Sequence, residues 1–300
     1  AVMKTRILAQ FKTYMLGMLC VGFGIFGVAE SLADEEYIAY GSQKSLMKSG
    51  LYRSLGFYTG YHHYGEVGRD GSRVMRIDTA TFGLMGELGL VNPLGIKLEG
   101  SARLGYALGI YTGGILDTDN TQRNGQRVIS MMGMSAGDVE LRGGYNLLKY
   151  SQMASLYLQG GLGYFFNRTE FMIMDRLQGY LYVPLELEGE VYIGNKGVLN
   201  YGLGYRYLIF GNHLSTASEY GFNDDYYVTQ KNGFGLNAFI GRTYYGKDST
   251  MRSIRLVYEY WHIGAADPMR TSSSITGKPT AIYEPENSTH RLLLQYSYGF

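Results

Sequence analysis

His213 and Ser215 stand two residues apart, and an imidazole beside a hydroxyl can take its proton while the oxygen attacks an ester carbonyl. Such a pair works only if a third group fixes the ring, and Asp224, Asp225 and Asn232 follow closely enough in sequence to be considered. The competing reading is a polar pair at a membrane interface, with Asp224 and Asp225 making an exposed turn. A second chemistry-bearing set is ionic: Glu87, Glu99, Asp138, Glu140, Glu186, Glu188, Glu190 and Glu259 share one strand parity with Lys97, Arg103, Arg142, Arg206 and Arg255. These charges either line a polar path for a cation or pair with one another and fill an interior too narrow for anything else. The acidic excess in the set leaves room for a cation or a raised carboxyl pKa. His62 with His63, and Trp261 with His262, are adjacent pairs; adjacent strand residues point to opposite faces, so a shared metal site does not follow, and their rings are expected as interface anchors. The sequence implies no cofactor and no metal.

Those residues need elements to hold them, and composition points to strands. The chain of 300 residues has 29 Tyr, 13 Phe and 43 Gly but 5 Pro and 1 Trp, which favours extended aromatic-rich segments over helices. Its net charge is +1, so no sequence-wide field draws in nucleic acid, which is not an expected partner. Met3 to Ala33 reads as a secretory signal: Lys4, Arg6 and Lys12 precede the apolar stretch Met15 to Ala29, and Ser31 to Ala33 is a small-residue exit. The apolar stretch is shorter than the ~20 residues of a spanning helix. Cys20, the one cysteine, lies inside it, and Leu19 stands where a lipoprotein signal wants a small residue. The spacing of Gly22, Gly24 and Gly27 fits a dinucleotide fingerprint but has no strand-turn-helix around it.

After Ala33 the pattern is alternation. Ile96, Leu98, Ala102, Leu104, Leu108 and Ile110 share one face while Lys97, Glu99, Ser101 and Arg103 take the other, over a run longer than soluble strands usually reach. It recurs at Phe82 and Leu84, at Leu156 to Phe166, at Leu181 to Ile193 and at Leu199 to Ile209. Connections alternate too, tight at 92–95, 148–153, 195–197 and 246–251, longer and polar at 66–72, 113–128, 170–178, 215–227 and 267–287. Strand edges facing lipid would leave backbone groups unsatisfied, so such a sheet must close. The expectation is an all-β transmembrane antiparallel up-and-down β-barrel of about ten strands, within roughly eight to twelve. The signal covers 1–33, a periplasmic stretch 34–49 and the barrel 50–300. Odd parity carried on from Ile209 and Gly211 sends His213 and Ser215 outward, toward lipid.

The last ten residues carry a resemblance. Leu292, Leu294, Tyr296, Tyr298 and the terminal Phe300 lie on one face, and this ending resembles the assembly signal of bacterial outer-membrane β-barrel proteins. The resemblance implies an integral outer-membrane location, outer-membrane lipids and lipopolysaccharide as surroundings, and the barrel-assembly machinery as a partner that reads Tyr296, Tyr298 and Phe300. It does not name a function. The His213 and Ser215 spacing is similar to the His-x-Ser arrangement of outer-membrane phospholipases and lipid A deacylases, without their further motif residues. Omptin-type proteases share the strand number, but their Asp-x-His motif does not occur in this chain. A structural or adhesin-like surface role through the long loops is the first expectation, meeting a host or other surface ligand. A narrow porin-like channel and a lipid-acting hydrolase are the alternatives.

Overall fold

The computed structural model describes residues 50–114, 125–170, 175–194, 197–245 and 250–300. The expected signal peptide with Cys20, the stretch 34–49, Asp117 to Asp119 and the turn centres at 195–196 and 246–249 lie outside the described residues. Alternating sequence becomes long strands: β1 (Gly50–Val67), β2 (Arg73–Val91), β3 (Ile96–Gly114), β4 (Arg127–Asn146), β5 (Ala154–Glu170), β6 (Arg176–Tyr192) and β7 (Val198–Ser215). They are followed by β8 (Tyr226–Gln230), β9 (Gly233–Tyr245), β10 (Met251–Ile263), the short β11 (Met269–Ser272) and β12 (Pro279–Ile282), and β13 (Glu286–Gly299).

Neighbours in sequence pair antiparallel around the sheet, β1 pairs with β13 and β6 with β7, so the ladder closes on itself. β8 and β9 both pair with β7, at Gly211 to Ser215 and at Val198 to Tyr207, and act as one interrupted strand. The result is a closed barrel of ten staves. β11 and β12 stand apart as a two-stranded hairpin within the last long loop. Both described ends lie at one mouth: Ser54 is opposite Gly299, and the Phe300 amide donates to the Arg53 carbonyl at 3.0 Å. Among the described residues the tight turns at 92–95 and 148–153 share that mouth, and the loops at 68–72, 216–225 and 264–285 share the other.

One parity faces out and is apolar. Leu84, Leu104 and Leu203 are 71 %, 62 % and 64 % exposed, and Leu55, Phe82, Leu185 and Ile240 join them. That much contiguous apolar surface is the belt a barrel turns to lipid. The other parity fills the lumen. Glycines let aromatic rings lie flat against the inner wall: Gly83 and Gly105 are cross-strand partners, and both sit under the Tyr58 ring. A Cβ on Gly83 would come 2.6 Å from the Tyr58 ring, and one on Gly105 would collide with its hydroxyl, whereas a Cβ on Gly100 meets nothing within 4 Å. Gly105→Ala should therefore cost about 1–3 kcal/mol of overpacking. Gly100→Ala should unfold in urea at the native midpoint; equal midpoints for the two variants would refute this packing.

Candidate functional site

The lumen is crossed by ion pairs between strands that are not neighbours in the sheet. Near the mouth with the tight turns, Lys97 Nζ on β3 reaches Glu188 on β6 at 2.6 Å and Glu99 at 2.8 Å, and Tyr52 donates to Glu99. Arg142 on β4 binds Glu99 and, at 2.5 Å, Glu186 on β6. Arg255 on β10 lies 3.2 Å from Glu87 on β2. The Tyr245 hydroxyl donates to Glu190 at 3.4 Å. At mid-height Glu259 on β10 gathers Arg103 at 2.6 Å, Arg206 at 3.1 Å and Arg291 at 3.0 Å. Asp138 lies 2.9 Å from Arg103, and Glu140 lies 3.0 Å from Arg206. The cavities left between these groups include one of about 70 Å³ beside Arg103, Glu186 and Arg255, and one of about 30 Å³ beside Lys97 and Glu190. Spaces of that size hold a few waters.

Above the ions lies an aromatic layer of Phe165, Tyr180, Tyr182 and Trp261 with Leu208 and Ile263. Tyr180 and Tyr182 approach the indole at 5.4 and 5.1 Å between ring centroids. Trp261 is thus a lumen residue and not the interface anchor expected from its type, and His62 is buried inward with it. His63 turns outward to Asp78 at 2.7 Å, and His262 is half exposed near Glu286.

At the outer mouth the orientation expected for His213 and Ser215 is overturned. Leu181 pairs with Phe210 while the next residue, Tyr182, pairs with Leu208, so Ile209 is an extra residue in β7. This β-bulge inverts the parity beyond it. His213 is 0 % exposed and Ser215 5 %, and both point into the barrel, away from lipid. Two of their expected orienting groups are occupied elsewhere: Asp225 accepts from Ser218, and Asp224 accepts from Thr271 at 3.1 Å. The ring is met by Glu284 instead. His213 Nε2 lies 2.7 Å from Ser215 Oγ, and His213 Nδ1 lies 3.2 Å from Glu284 Oε1.

Glu284 belongs to a buried cluster. Arg176 reaches it at 2.6 Å and Glu66 at 2.5 Å, so one guanidinium serves two carboxylates. Tyr64 donates to Glu66 at 2.8 Å or to Glu284 at 3.2 Å, and Gln178 Nε2 lies 3.2 Å from both Glu284 Oε1 and His213 Nδ1. Over the cluster sits a cap built from two loops. Ala217, Phe222, Tyr226, Val228 and Ala266 bury one another, with Met269 and Ile282 of the hairpin against them. The Asn223 amide donates to the Ser272 carbonyl at 3.0 Å, and the Ala266 amide to the Glu284 carbonyl at 2.9 Å, stitching loop to hairpin to cluster.

Glu284 lies in the loop between β12 and β13. Burial pushes its carboxyl up to about 8, with Arg176 opposing and Glu66 adding to the rise. A carboxyl whose pKa is raised on folding stabilises the fold at low pH, and that stability is lost as pH rises through about 8. The groups facing Glu284 are Glu66, Tyr64, Arg176, Gln178, Tyr180, His213 and Tyr226. The cap should loosen in that window. Tryptic cleavage after Arg270, normalised to an unstructured peptide, is expected to accelerate about tenfold or more across it; a flat rate would contradict the coupling.

Sequence reasoning did not single out Glu66, Arg176, Gln178, Glu284 or Arg291. Arg291 was accessible to it, since it stands opposite in parity to Leu292 and Leu294. At the closing mouth Tyr296 and Tyr298 face outward among the belt residues, and the Arg53 guanidinium stacks 4.7 Å over the Phe300 ring. Among the described residues no group of three or more His, Cys, Asp and Glu is arranged to hold a metal ion.

No family model and no curated protein matches this sequence. Among solved structures the chain is similar to the outer membrane protease OmpT from Escherichia coli, with a TM-score of 0.57 and 9 % identity over 85 % of this chain and 97 % of that one. The outer membrane protein OprG from Pseudomonas aeruginosa aligns at a TM-score of 0.37 and 11 % identity, over 83 % of this chain and 96 % of that one. At 9 % identity the likeness to OmpT is one of fold. The closed ladder and apolar belt are those of an integral bacterial outer-membrane β-barrel.

Proposed function

We propose that this outer-membrane β-barrel is a sealed anchor that presents a preformed surface at the cell exterior. One observation carries the reading: ion pairs cross the lumen from wall to wall, leaving the capped outer mouth as the part able to meet another molecule. A conducting pore would have to break those pairs and expose their charges, which is costly for buried groups. The cap suits binding because its loops are already ordered by the packing of Phe222, Tyr226 and Ala266, so a partner need not supply that ordering free energy. In this reading lipid and lipopolysaccharide surround the belt, and Tyr296, Tyr298 and Phe300 serve the assembly machinery.

The test uses cells displaying either the full chain or a variant in which Met269 to Ile282 is replaced by an Asn-Gly turn. Adhesion to an immobilised matrix glycoprotein and to sister cells is scored against cells carrying empty vector. Adhesion gained with the full chain and lost with the variant is the expected result. No gain over vector on either surface, or an equal gain without the hairpin, would refute the surface role.

A further inference from the structure

Buried hydroxyls beside a hydrogen-bonded Ser, His and Glu are costly unless they are used. Ser215 Oγ lies 2.7 Å from His213 Nε2, and His213 Nδ1 lies 3.2 Å from Glu284 Oε1. With Nδ1–H donating to the carboxylate, Nε2 is left as the acceptor for the serine hydroxyl. Next to this chain of contacts stand two further buried hydroxyls. One is Thr216 Oγ1, on the residue after Ser215, with no hydrogen-bond partner in the protein; the other is that of Tyr226, the cross-strand partner of Ser215, whose oxygen lies beside the Glu284 backbone. Donors left idle inside a protein cost free energy of about 1–3 kcal/mol each, and a site that receives a polar ligand is one setting that repays it.

We propose that Ser215, His213 and Glu284 form a nucleophilic triad that cleaves a carboxylic ester admitted from the cell exterior beneath the hairpin cap. Ser215 Oγ bonds to the acyl carbon as its proton passes to His213 Nε2. The carbonyl electron pair moves onto oxygen and then returns, breaking the carbon–oxygen bond to the alcohol, which leaves with the proton from His213. Water, as the second substrate, repeats the sequence: it gives a proton to His213 and its oxygen to the acyl carbon, and Ser215 leaves with the proton. The Tyr226 hydroxyl, on the residue paired with Ser215, is assigned the transient oxyanion. Glu284 holds the imidazolium that forms midway, and Arg176 holds Glu284. The inward direction set by the Ile209 bulge selects the substrate class. The nucleophile faces the lumen under an apolar roof of Phe222, Val228 and Ile282, so the proposed substrate is a short-chain acyl ester of a soluble alcohol and not a lipid of the outer leaflet.

The test uses the full chain refolded in detergent, with folding checked by heat-dependent mobility on a gel. A fluorophosphonate is added and the Ser215 peptide is followed by mass spectrometry, alongside release of nitrophenolate from p-nitrophenyl butyrate. The same measurements are made on Ser215→Ala, His213→Ala, Glu284→Gln and the hairpin-replacement chain, which admits the probe if the cap excludes it. The expected result is an adduct on Ser215, ester turnover lost in Ser215→Ala, and labelling slowed about 10²-fold or more in His213→Ala. The native rate should rise with pH through about 8 as Glu284 ionises, and Glu284→Gln should lose that rise. Folded native and hairpin-replacement chains that both leave Ser215 unlabelled would overturn the proposal, as would turnover undiminished in Ser215→Ala.

Discussion

Replacing Glu259 with alanine is expected to lower stability by about 3–5 kcal/mol, the cost of removing one partner from a buried ion cluster. The carboxylate holds Arg103, Arg206 and Arg291 within 3.1 Å, and its loss leaves those guanidiniums with Asp138 and Glu140 alone. The groups are deep in the lumen, so water does not screen the remaining repulsion as it would at a surface. Glu259→Gln keeps the shape and an acceptor and should cost less. Urea unfolding in phospholipid vesicles, followed by the heat-modifiable band, reads both. A loss under about 1 kcal/mol for the alanine variant would mean that the arginines reach water and that the lumen is not closed at that level.

Arg176→Ala should have an effect of similar size but confined to the outer mouth. Arg176 is the cation shared by Glu66 and Glu284, and without it the two carboxyls face each other across Tyr64. One of them must then take a proton or leave the cluster. The penalty is therefore expected to be small at acid pH, where protonated carboxyls need no counter-charge, and to grow to about 3 kcal/mol as pH rises. Hydrogen exchange resolves where it falls: amides of the cap and of the outer ends of β6 and β13 should lose protection while mid-barrel amides keep theirs. Uniform loss throughout the barrel would show that the cap cluster is not a separate cooperative unit.

Strand alternation made the barrel legible in the sequence, because a period of two sustained over segments this long suits a membrane-spanning strand and few soluble ones. The outward leucines from Phe82 to Leu104 and the lumen charges from Glu99 to Arg206 follow from the same parity. What parity cannot reveal is a place where it slips. Ile209 adds a single residue to β7, with no glycine or proline to mark it, and everything beyond is inverted. Counting on from Ile209 therefore sends His213 and Ser215 to lipid when they face inward. Trp261 was misplaced for a different reason. Its parity with Glu259 already put it inside, but the preference of indole for interfaces outweighed the pattern. Glu284 was hidden because it lies in a loop, where no periodicity says which side chains turn in. Its contact with His213 joins residues 71 positions apart, a relation only the closed fold creates.

The most direct measurement is conductance of the purified barrel in a planar lipid bilayer. If the ion pairs around Glu259, Arg142 and Lys97 close the lumen, the native protein inserts without producing steps in current, and openings arise only when the network is broken, as in Glu259→Ala. Steady ohmic steps from the native chain, unchanged when Glu259 is replaced, would contradict the sealed anchor and make this barrel a channel.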